Sequence, residues 1–498
     1  MPERATTTTS AEASPGPLRE LLRPRAAADP WLLALCGLLA AVAAVVAIRD
    51  QRLVLLDDAA ITFRYADRIA GGEGFTYNPG DRTNGASAPL YTLLLAFGHR
   101  LGADLEAFAR VIGVVAYSGC VALVGYISGR LRGLVAGSLA GLLLLTSLAF
   151  REQALTGMES GFAALLGLLV ILLLMEDRPT LAGVALGLAV VNKLDAGLLA
   201  LAVLVAFLIV DRRPPWRTGW TALAVAAPWF LFSTIYFGSP IPHSASQKLS
   251  EDVLANTQTP FDRTWVLDLL TQDRMRLLTL IAVLTTALVA FLAIRRSALV
   301  DRSTSLVMVV AGGWFALHGA AFSLVDLGDA YPWYTAVLYP ALVLTAVLGL
   351  FLPWAAIVPA PLRRPALGVV AAAVVALALV RWHGEGLRQT AAVVRSGHTV
   401  IDFERFERSR QEAGAIVGEV AEPGDVLTTC FGWPAYEAAQ TTIDELCPLS
   451  TRDEVGEPDW WVLTEIDGRD DFEEPFGAER VVGVESPTAT SWVYRSGS

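Results

Sequence analysis

Two adjacent carboxylates, Asp57 and Asp58, open a short amphipathic run that follows the first hydrophobic segment of the chain. A loop rich in glycine, proline and asparagine comes next and carries Asp81 and Arg82. Carboxylates can take a proton from a hydroxyl, cations can hold a phosphate, and aromatic side chains can stack on a sugar or a lipid. Paired acids beside arginines at the end of an apolar segment therefore indicate a chemical site at a membrane surface.

The two acids are not equivalent if residues 57–70 form a helix. Successive residues on a helix point about 100° apart, so Asp57 and Asp58 would do different jobs. In one interpretation Asp57 is a catalytic base, and Asp58 is the second choice or the group that orients an acceptor or a metal. In the other, which the spacing leaves equally open, both acids compensate the helix N-terminus. Arg64 lies on the Asp57 face and can pair with one of them.

Composition defines the elements that must position these side chains. Of 498 residues, 54% are hydrophobic and 17% charged, the mean hydropathy is +0.49 and the net charge is -11. Apolar runs of about 17 to 20 residues match the hydrocarbon thickness of a bilayer. The sequence therefore predicts an α-helical polytopic membrane protein. The predicted spans are 31–48, 106–127, 133–149, 160–175, 180–192, 196–210, 218–236, 277–294, 306–323, 335–352 and 365–381.

Arginine clusters orient these roughly eleven spans. They precede the first span and follow the second, fourth, sixth, eighth and tenth, so all fall on one side when the N-terminus is cytoplasmic. The fifth span is short, and it predicts a tilt or a wet cavity near Asn192–Asp195. Residues 1–30 are predicted to be a disordered cytoplasmic N-terminus, 31–382 the transmembrane domain, and 49–105 its first extracytoplasmic loop.

Residues 383–498 are predicted to fold as a small extracytoplasmic α/β domain. Residues 401–498 contain 22 acids against seven arginines and no lysine, a charge that is unusual on the cytoplasmic side of such a protein. A helical run near 403–420 precedes short strand-like runs such as WWVLTEI and SWVYR. Cys430 and Cys447 in this part can pair only if it faces an oxidising compartment.

The other outward loops add polar side chains to the same membrane face. Taken singly, each is most simply an interfacial ion pair or an aromatic anchor. Taken together, they suit a site for an amphiphilic substrate. The candidate substrate-binding residues are Arg64, Arg82, Glu159, Lys193, Asp195, His243, Lys248, Asp329 and Tyr334. No Walker A loop, HExxH or GxSxG motif is present, so an activated, lipid-linked donor is the simplest energy source.

DDAAITFRYADRIAGGEGFTYNPG resembles the first-loop signature of integral-membrane GT-C glycosyltransferases, and is most similar to the mycobacterial terminal β-(1→2) arabinofuranosyltransferase group. TGMES, NKLDAG, YFGSPIPHSASQK and DLGDAYPWYTAVLYP resemble further elements of that group, in order over about residues 50–345. Three positions depart from its pattern: Lys193 stands for arginine, Ala196 interrupts a PDG element, and Ser87 with its neighbours replaces an aromatic part.

The resemblance implies a GT-C-like inverting transferase in a bacterial cytoplasmic membrane. It would move one sugar, with arabinofuranose as a candidate, from a polyprenyl-phosphate donor to a hydroxyl of a cell-envelope glycan or lipid on the extracytoplasmic face. A divalent cation is compatible with the acidic pair, but no residue pattern demands one, and no nucleic acid partner is expected. The alternative from another class is a non-enzymatic translocator of lipid-linked glycans or an envelope-assembly protein.

Overall fold

The computed structural model describes residues 29–50, 55–78, 80, 82–242, 276–297, 299–325, 334, 337–352, 403–422, 425–429, 436, 442–445, 460–466, 478–485 and 489–496. Helices dominate these ranges up to residue 352. They are α1 Pro30–Arg49, α2 Asp57–Gly71, α3 Pro89–Arg100, α4 Leu105–Arg132, α5 Leu134–Leu145, α6 Leu148–Leu155, α7 Ser160–Met175, α8 Pro179–Asn192, α9 Gly197–Val210, α10 Trp216–Phe237, α11 Arg276–Ile294, α12 Arg302–Val325 and α13 Leu338–Leu350.

The apolar helices follow the predicted spans in order up to α13, while the eleventh predicted span, 365–381, lies outside the described residues. Within the described part, four helices are long and apolar enough to cross a membrane, and a bent pair makes a fifth. Five further apolar helices are shorter, with 10–17 residues. The protein is thus a multi-helix membrane protein, and the count of about eleven spans stays a prediction.

The third predicted span, 133–149, is not one straight helix. The chain bends by 62° between α5 and α6, so the apolar run and the polar residues after it form two elements. Thr146 ends α5 by donating its hydroxyl to Leu142 O at 2.7 Å, and Ser147 caps α6 through the Phe150 amide at 3.5 Å. The prediction that residues 150–159 form a loop was wrong in its first half, because this serine cap starts a new helix.

Glycines allow α8 and α10 to pack closely. A Cβ atom added at Gly187 would lie 2.7 Å from the Ala222 carbonyl oxygen, and one at Gly183 would lie 2.6 Å from that of Thr218. Small residues one turn apart permit such backbone approach between membrane helices. The short helix α8, 14 residues long, is thereby held against a helix of 22 residues.

The arginine-bearing loops meet at one end of the helices. Arg130 pairs with Glu176 at 3.6 Å, and Arg132 with Asp301 at 3.7 Å. Arg212 donates to Ile294 O at 2.7 Å. The ends of four predicted cytoplasmic loops are therefore in contact, as the arginine pattern requires, while their orientation in a membrane stays a prediction.

Helix α2 covers the predicted helical run 57–70 and ends where the glycines predicted, at Gly72, whose φ of 87° is a left-handed cap. Its buried side chains Ala59, Phe63 and Ala66 pack with Leu95 of α3 in one hydrophobic cluster. The first predicted loop is therefore a pair of packed helices on the bundle.

The C-terminal region contains α14, Phe403–Val420, and five strands, β1 Val426–Thr429, β2 Thr442–Glu445, β3 Trp460–Ile466, β4 Ala478–Glu485 and β5 Ala489–Ser496. The strand order is β2-β1-β3-β5-β4. β1 runs parallel to β2 and β3, and the pairs β3–β5 and β4–β5 are antiparallel. Cys430, Cys447 and the predicted boundary at 383 lie outside the described residues.

This C-terminal region packs on the first loop. Leu427, Trp460 and Val493 share a buried cluster with Tyr65 and Phe75. The Tyr436 ring lies 5.9 Å from that of Phe63, centroid to centroid, in an edge-to-face arrangement. The sheet and α2 therefore share a hydrophobic core.

The close approach of α8 and α10 gives a stability prediction. Gly187→Ala should lower the free energy of unfolding by about 1–3 kcal/mol, since the new methyl group meets backbone that cannot rotate away. Gly219→Ala on α10 is the matched control, because a Cβ there meets nothing within 4 Å. Thermal midpoints of both purified variants test this, and equal midpoints would contradict the packing.

Candidate functional site

The acidic pair occupies the first turn of α2. The helix begins at Asp57, and its N-cap is Leu56, so neither acid is the cap residue itself. Asp58 is half-buried, and the side chain of Asp57 lies outside the described part. The helical geometry supports the prediction that the two carboxylates diverge.

The TGMES segment, Thr156–Ser160, lies directly against the start of α2. The Leu56 amide donates to Thr156 O at 2.9 Å. Gly157 has a φ of 80°, and a Cβ atom there would lie 2.7 Å from Leu55 Cδ2. The Tyr91 hydroxyl of α3 donates to Gly157 O at 2.9 Å. Contacts with the start of α2 and with α3 therefore fix the position of the Thr156–Gly157 backbone, which leads directly to Glu159.

Glu159 and Lys193 form a buried ion pair. Lys193 Nζ donates to Glu159 Oε1 at 2.7 Å, with the side chains 7% and 2% exposed. The same ammonium lies 4.4 Å from the centroid of the Tyr334 ring. Burial lowers the pKa of Lys193, but the carboxylates of Glu159 and Asp195 outweigh it, so the pKa lies above its usual value. Lys193 is therefore a fixed cation at neutral pH.

Asp195 and His318 extend this cluster. Asp195 is half-buried in the short 3-10 turn Leu194–Ala196, where its charge acts on Lys193 and His318. His318 Nε2 lies 3.1 Å from Tyr334 O. Asn192 is 0% exposed, and neither its Oδ1 nor its Nδ2 has a hydrogen-bond partner among the described residues. The break between α8 and α9 thus concentrates polar side chains inside the bundle.

The Arg64 side chain is buried, so a substrate cannot reach it freely from solvent. It is 2% exposed, donates from Nε to Tyr77 O at 3.0 Å and lies over the Tyr77 ring at 5.1 Å. Burial lowers the pKa of Arg64 to about 10, so the guanidinium remains charged at neutral pH. Here the side chain ties α2 to the following loop, and a role in substrate binding stays a prediction.

Tyr65 closes the same loop with two hydrogen bonds. Its hydroxyl donates to Thr83 O at 2.8 Å and accepts from the Gly85 amide at 3.0 Å. A Cβ atom at Gly85 would lie 2.8 Å from this oxygen, so glycine is needed there for the contact. The segment that carries Arg82 therefore has a defined path beside α2.

The structure joins the first loop to the end of α10. The exposed Arg82 lies over the Tyr236 ring at 4.8 Å. Asn84 Nδ2 donates to Ser233 Oγ at 3.0 Å, and Ser233 donates to Ser239 O at 2.7 Å. The segments NPGDRTNGAS and YFGSPIP, about 150 residues apart in the sequence, are thus neighbours in space. His243, Lys248 and Asp329 lie outside the described residues.

A second buried ion pair is present that was not predicted from the sequence. Arg151 Nε lies 2.9 Å from Asp50 Oδ2, and both side chains are 0% exposed. Asp50 ends α1 and Arg151 belongs to α6, so the pair fixes the helix that leads into TGMES. The sequence feature that could have indicated this pair is an acid, Asp50, soon after one apolar span and an arginine, Arg151, soon after another. Among the described residues, no group of three or more histidine, cysteine, aspartate or glutamate side chains could hold a metal ion.

Comparison with known proteins agrees with this architecture. Residues 86–237 match the family model described as dolichyl-phosphate-mannose-protein mannosyltransferase. The crystal structure of ArnT from Cupriavidus metallidurans bound to undecaprenyl phosphate has a TM-score of 0.55 at 16% identity, over 84% of this chain and 86% of that one. The Archaeoglobus fulgidus oligosaccharyltransferase in complex with zinc and sulfate has a TM-score of 0.50 at 12% identity, over 80% and 62%. The curated proteins gave no match.

The chain therefore shares the fold of these solved membrane proteins, and its residues 86–237 match a mannosyltransferase family model. None of the proteins named above is described as an arabinofuranosyltransferase, so that finer assignment stays a prediction.

The Glu159–Lys193 pair predicts a non-additive stability effect. Lys193→Met leaves a buried carboxylate without its partner and should cost roughly 3–5 kcal/mol. Lys193→Met/Glu159→Met removes both charges and should recover most of that loss. Thermal midpoints of the wild type, both single variants and the double variant form the cycle. Additive losses would show that the two side chains do not interact.

Proposed function

We propose that the protein is an inverting glycosyltransferase of the GT-C class. It transfers a single sugar from a polyprenyl-phosphate donor to a hydroxyl of a cell-envelope glycan or lipid. The reaction takes place on the extracytoplasmic face of a bacterial cytoplasmic membrane, at the end of the helices opposite the arginine-bearing loops.

One observation carries this proposal: the Leu56–Thr156 hydrogen bond joins the acidic start of α2 to the loop that carries Glu159 and, through it, Lys193. A candidate base and a fixed cation therefore belong to one packed unit, although about 135 residues separate them in the chain. Transfer from a lipid phosphate needs both groups, because a proton leaves the acceptor while negative charge develops on the donor phosphate.

The proposed reaction is a direct displacement. The carboxylate of Asp57 accepts the proton of the acceptor hydroxyl as its oxygen attacks the anomeric carbon. The bond from that carbon to the phosphate oxygen breaks, and the polyprenyl phosphate leaves with the bonding electrons. Attack opposite the leaving group inverts the anomeric centre. Asp58 orients the acceptor. Arg82 neutralises the departing phosphate, and Lys193, whose charge is balanced by Glu159, donates a hydrogen bond to it, which removes the need for a general acid.

The remaining candidate residues are assigned either to the sugar or to the phosphate of the donor. Glu159, Asp195, Asp329 and Tyr334 are proposed to contact sugar hydroxyls or to hold the cations. Arg64, His243 and Lys248 are proposed to act on the phosphate side. The sequence resemblance favours arabinofuranose as the sugar, so the donor panel should include both pentofuranosyl and hexosyl polyprenyl phosphates.

Asn substitutions at the acidic pair test the mechanism. Asp57→Asn should lower the transfer rate by about 100-fold or more, because the amide cannot take a proton. Asp58→Asn should mainly raise the KM for the acceptor, because Asp58 is assigned to orienting it. Asp67→Asn is the matched control on the same helix, where the carboxylate is 48% exposed and pairs with His99 at 3.2 Å. The assay measures sugar transfer from purified lipid-linked donors.

Two results would contradict the proposal. Near-wild-type transfer in both Asp57→Asn and Asp58→Asn would exclude the assigned base. Binding of lipid-linked glycan without any transfer by the wild type, together with movement of that lipid across vesicles, would favour the translocator alternative. Deletion of residues 383–498 would not distinguish a transferase from a translocator, since that region shares a hydrophobic core with Tyr65 and Phe75 and its loss would disturb the site.

A further inference from the structure

A cavity lies at the arginine-bearing end of the helices, away from the proposed transfer site. Its volume is about 500 Å³, and its wall comes from the α7–α8 turn, the α9–α10 turn and the start of α12. The charged residues that line it are Arg178, Arg213, Arg217, Arg302 and Asp177. Nothing in the proposed transfer reaction uses this cavity.

The cavity has an excess of positive charge. Arg302 is neutralised by Asp211, which accepts from Nε at 2.8 Å and from Nη2 at 2.7 Å. With Asp177 counted against the other three arginines, the lining retains a net charge of +2. Arg213 and Arg217 are exposed, so an anion can reach both side chains from solvent. A concave surface with this charge selects anions.

Two helix N-termini strengthen the same field. Pro179 begins α8 and Trp216 begins α10, and Pro179 and Trp216 line the cavity. Neither helix has a side-chain cap or an acid in its first turn. The positive ends of the two helix dipoles therefore add to the arginine charge, an arrangement that suits phosphate.

The surface beside the cavity favours a lipid headgroup over a free phosphate as the anion. Trp216 and Trp220 are each 65% exposed, and Leu223 is 54% exposed. Their spacing places them on one face of α10, and only 11% of the apolar window of this helix is buried. Tryptophans at this level are typical of a membrane interface. We propose that the cavity binds the phosphate headgroup of an anionic phospholipid whose acyl chains lie along this face of α10.

Phosphatidylglycerol binding to the full-length protein tests the proposal. Native mass spectrometry of the wild type in detergent should show bound phosphatidylglycerol in preference to phosphatidylcholine, whose headgroup has no net charge. Arg213→Ala/Arg217→Ala should weaken this binding roughly 10-fold or more. Arg295→Ala/Arg296→Ala is the matched control, since these two exposed arginines lie at the same end but do not line the cavity. Inorganic phosphate is added as a competitor.

Each outcome decides the question. A selective loss in the cavity variant, without competition by inorganic phosphate, supports a lipid site. Equal losses in the cavity and control variants would show only diffuse surface charge, and full competition by inorganic phosphate would indicate a soluble ligand, so either result overturns the proposal. If the double arginine variant does not fold, Trp216→Ala/Trp220→Ala keeps the charges and should weaken binding of both lipids while the preference for phosphatidylglycerol remains; unchanged binding in this variant would overturn the proposal. The sugar-transfer assay is independent of all these readouts.

Discussion

The buried pair between Lys193 and Glu159 is the constraint on which the site depends. A lone ammonium or carboxylate inside a helical bundle would be strongly disfavoured, so each charge requires the other. Lys193 follows the break after α8, and Glu159 precedes α7, so the pair holds two chain reversals at one level. The Thr156 carbonyl, three residues before Glu159, accepts the amide that leads into α2. The acidic start of α2 and the segment that carries Glu159 are thereby joined through the backbone.

The other elements act as supports for this unit. Asp50 and Arg151 fix α6 against the end of α1, and this sets the direction from which the TGMES segment approaches α2. On the other side, Tyr65 holds the loop of Thr83 to Gly85, which in turn reaches Ser233 of α10 through Asn84. The C-terminal sheet covers this loop with Trp460 and Val493. The C-terminal sheet therefore helps to hold the first loop in place.

The two ends of the helices have different chemistry. One end buries its charges in pairs, with acids, cations and aromatic rings around the α8–α9 break. At the other, surface pairs such as Arg130–Glu176 stay partly exposed, and a cavity with excess positive charge lies beside the exposed face of α10. The first arrangement suits the reaction of a lipid-linked sugar, and the second suits anchoring in anionic lipid.

Hydropathy, helix length and glycine caps are local properties, so a helical membrane protein, the order of its apolar helices and the helical run at Asp57 could all be predicted from the sequence. It also indicated the polar segments that carry candidate residues, since charge is rare in such a chain. Three features became visible only in the folded chain: α5 and α6 are separate helices, Glu159 pairs with Lys193, and Arg64 is buried against Tyr77. Those outcomes depend on contacts between residues far apart in the chain, and periodicity and spacing contain no information about which distant partner satisfies a buried charge.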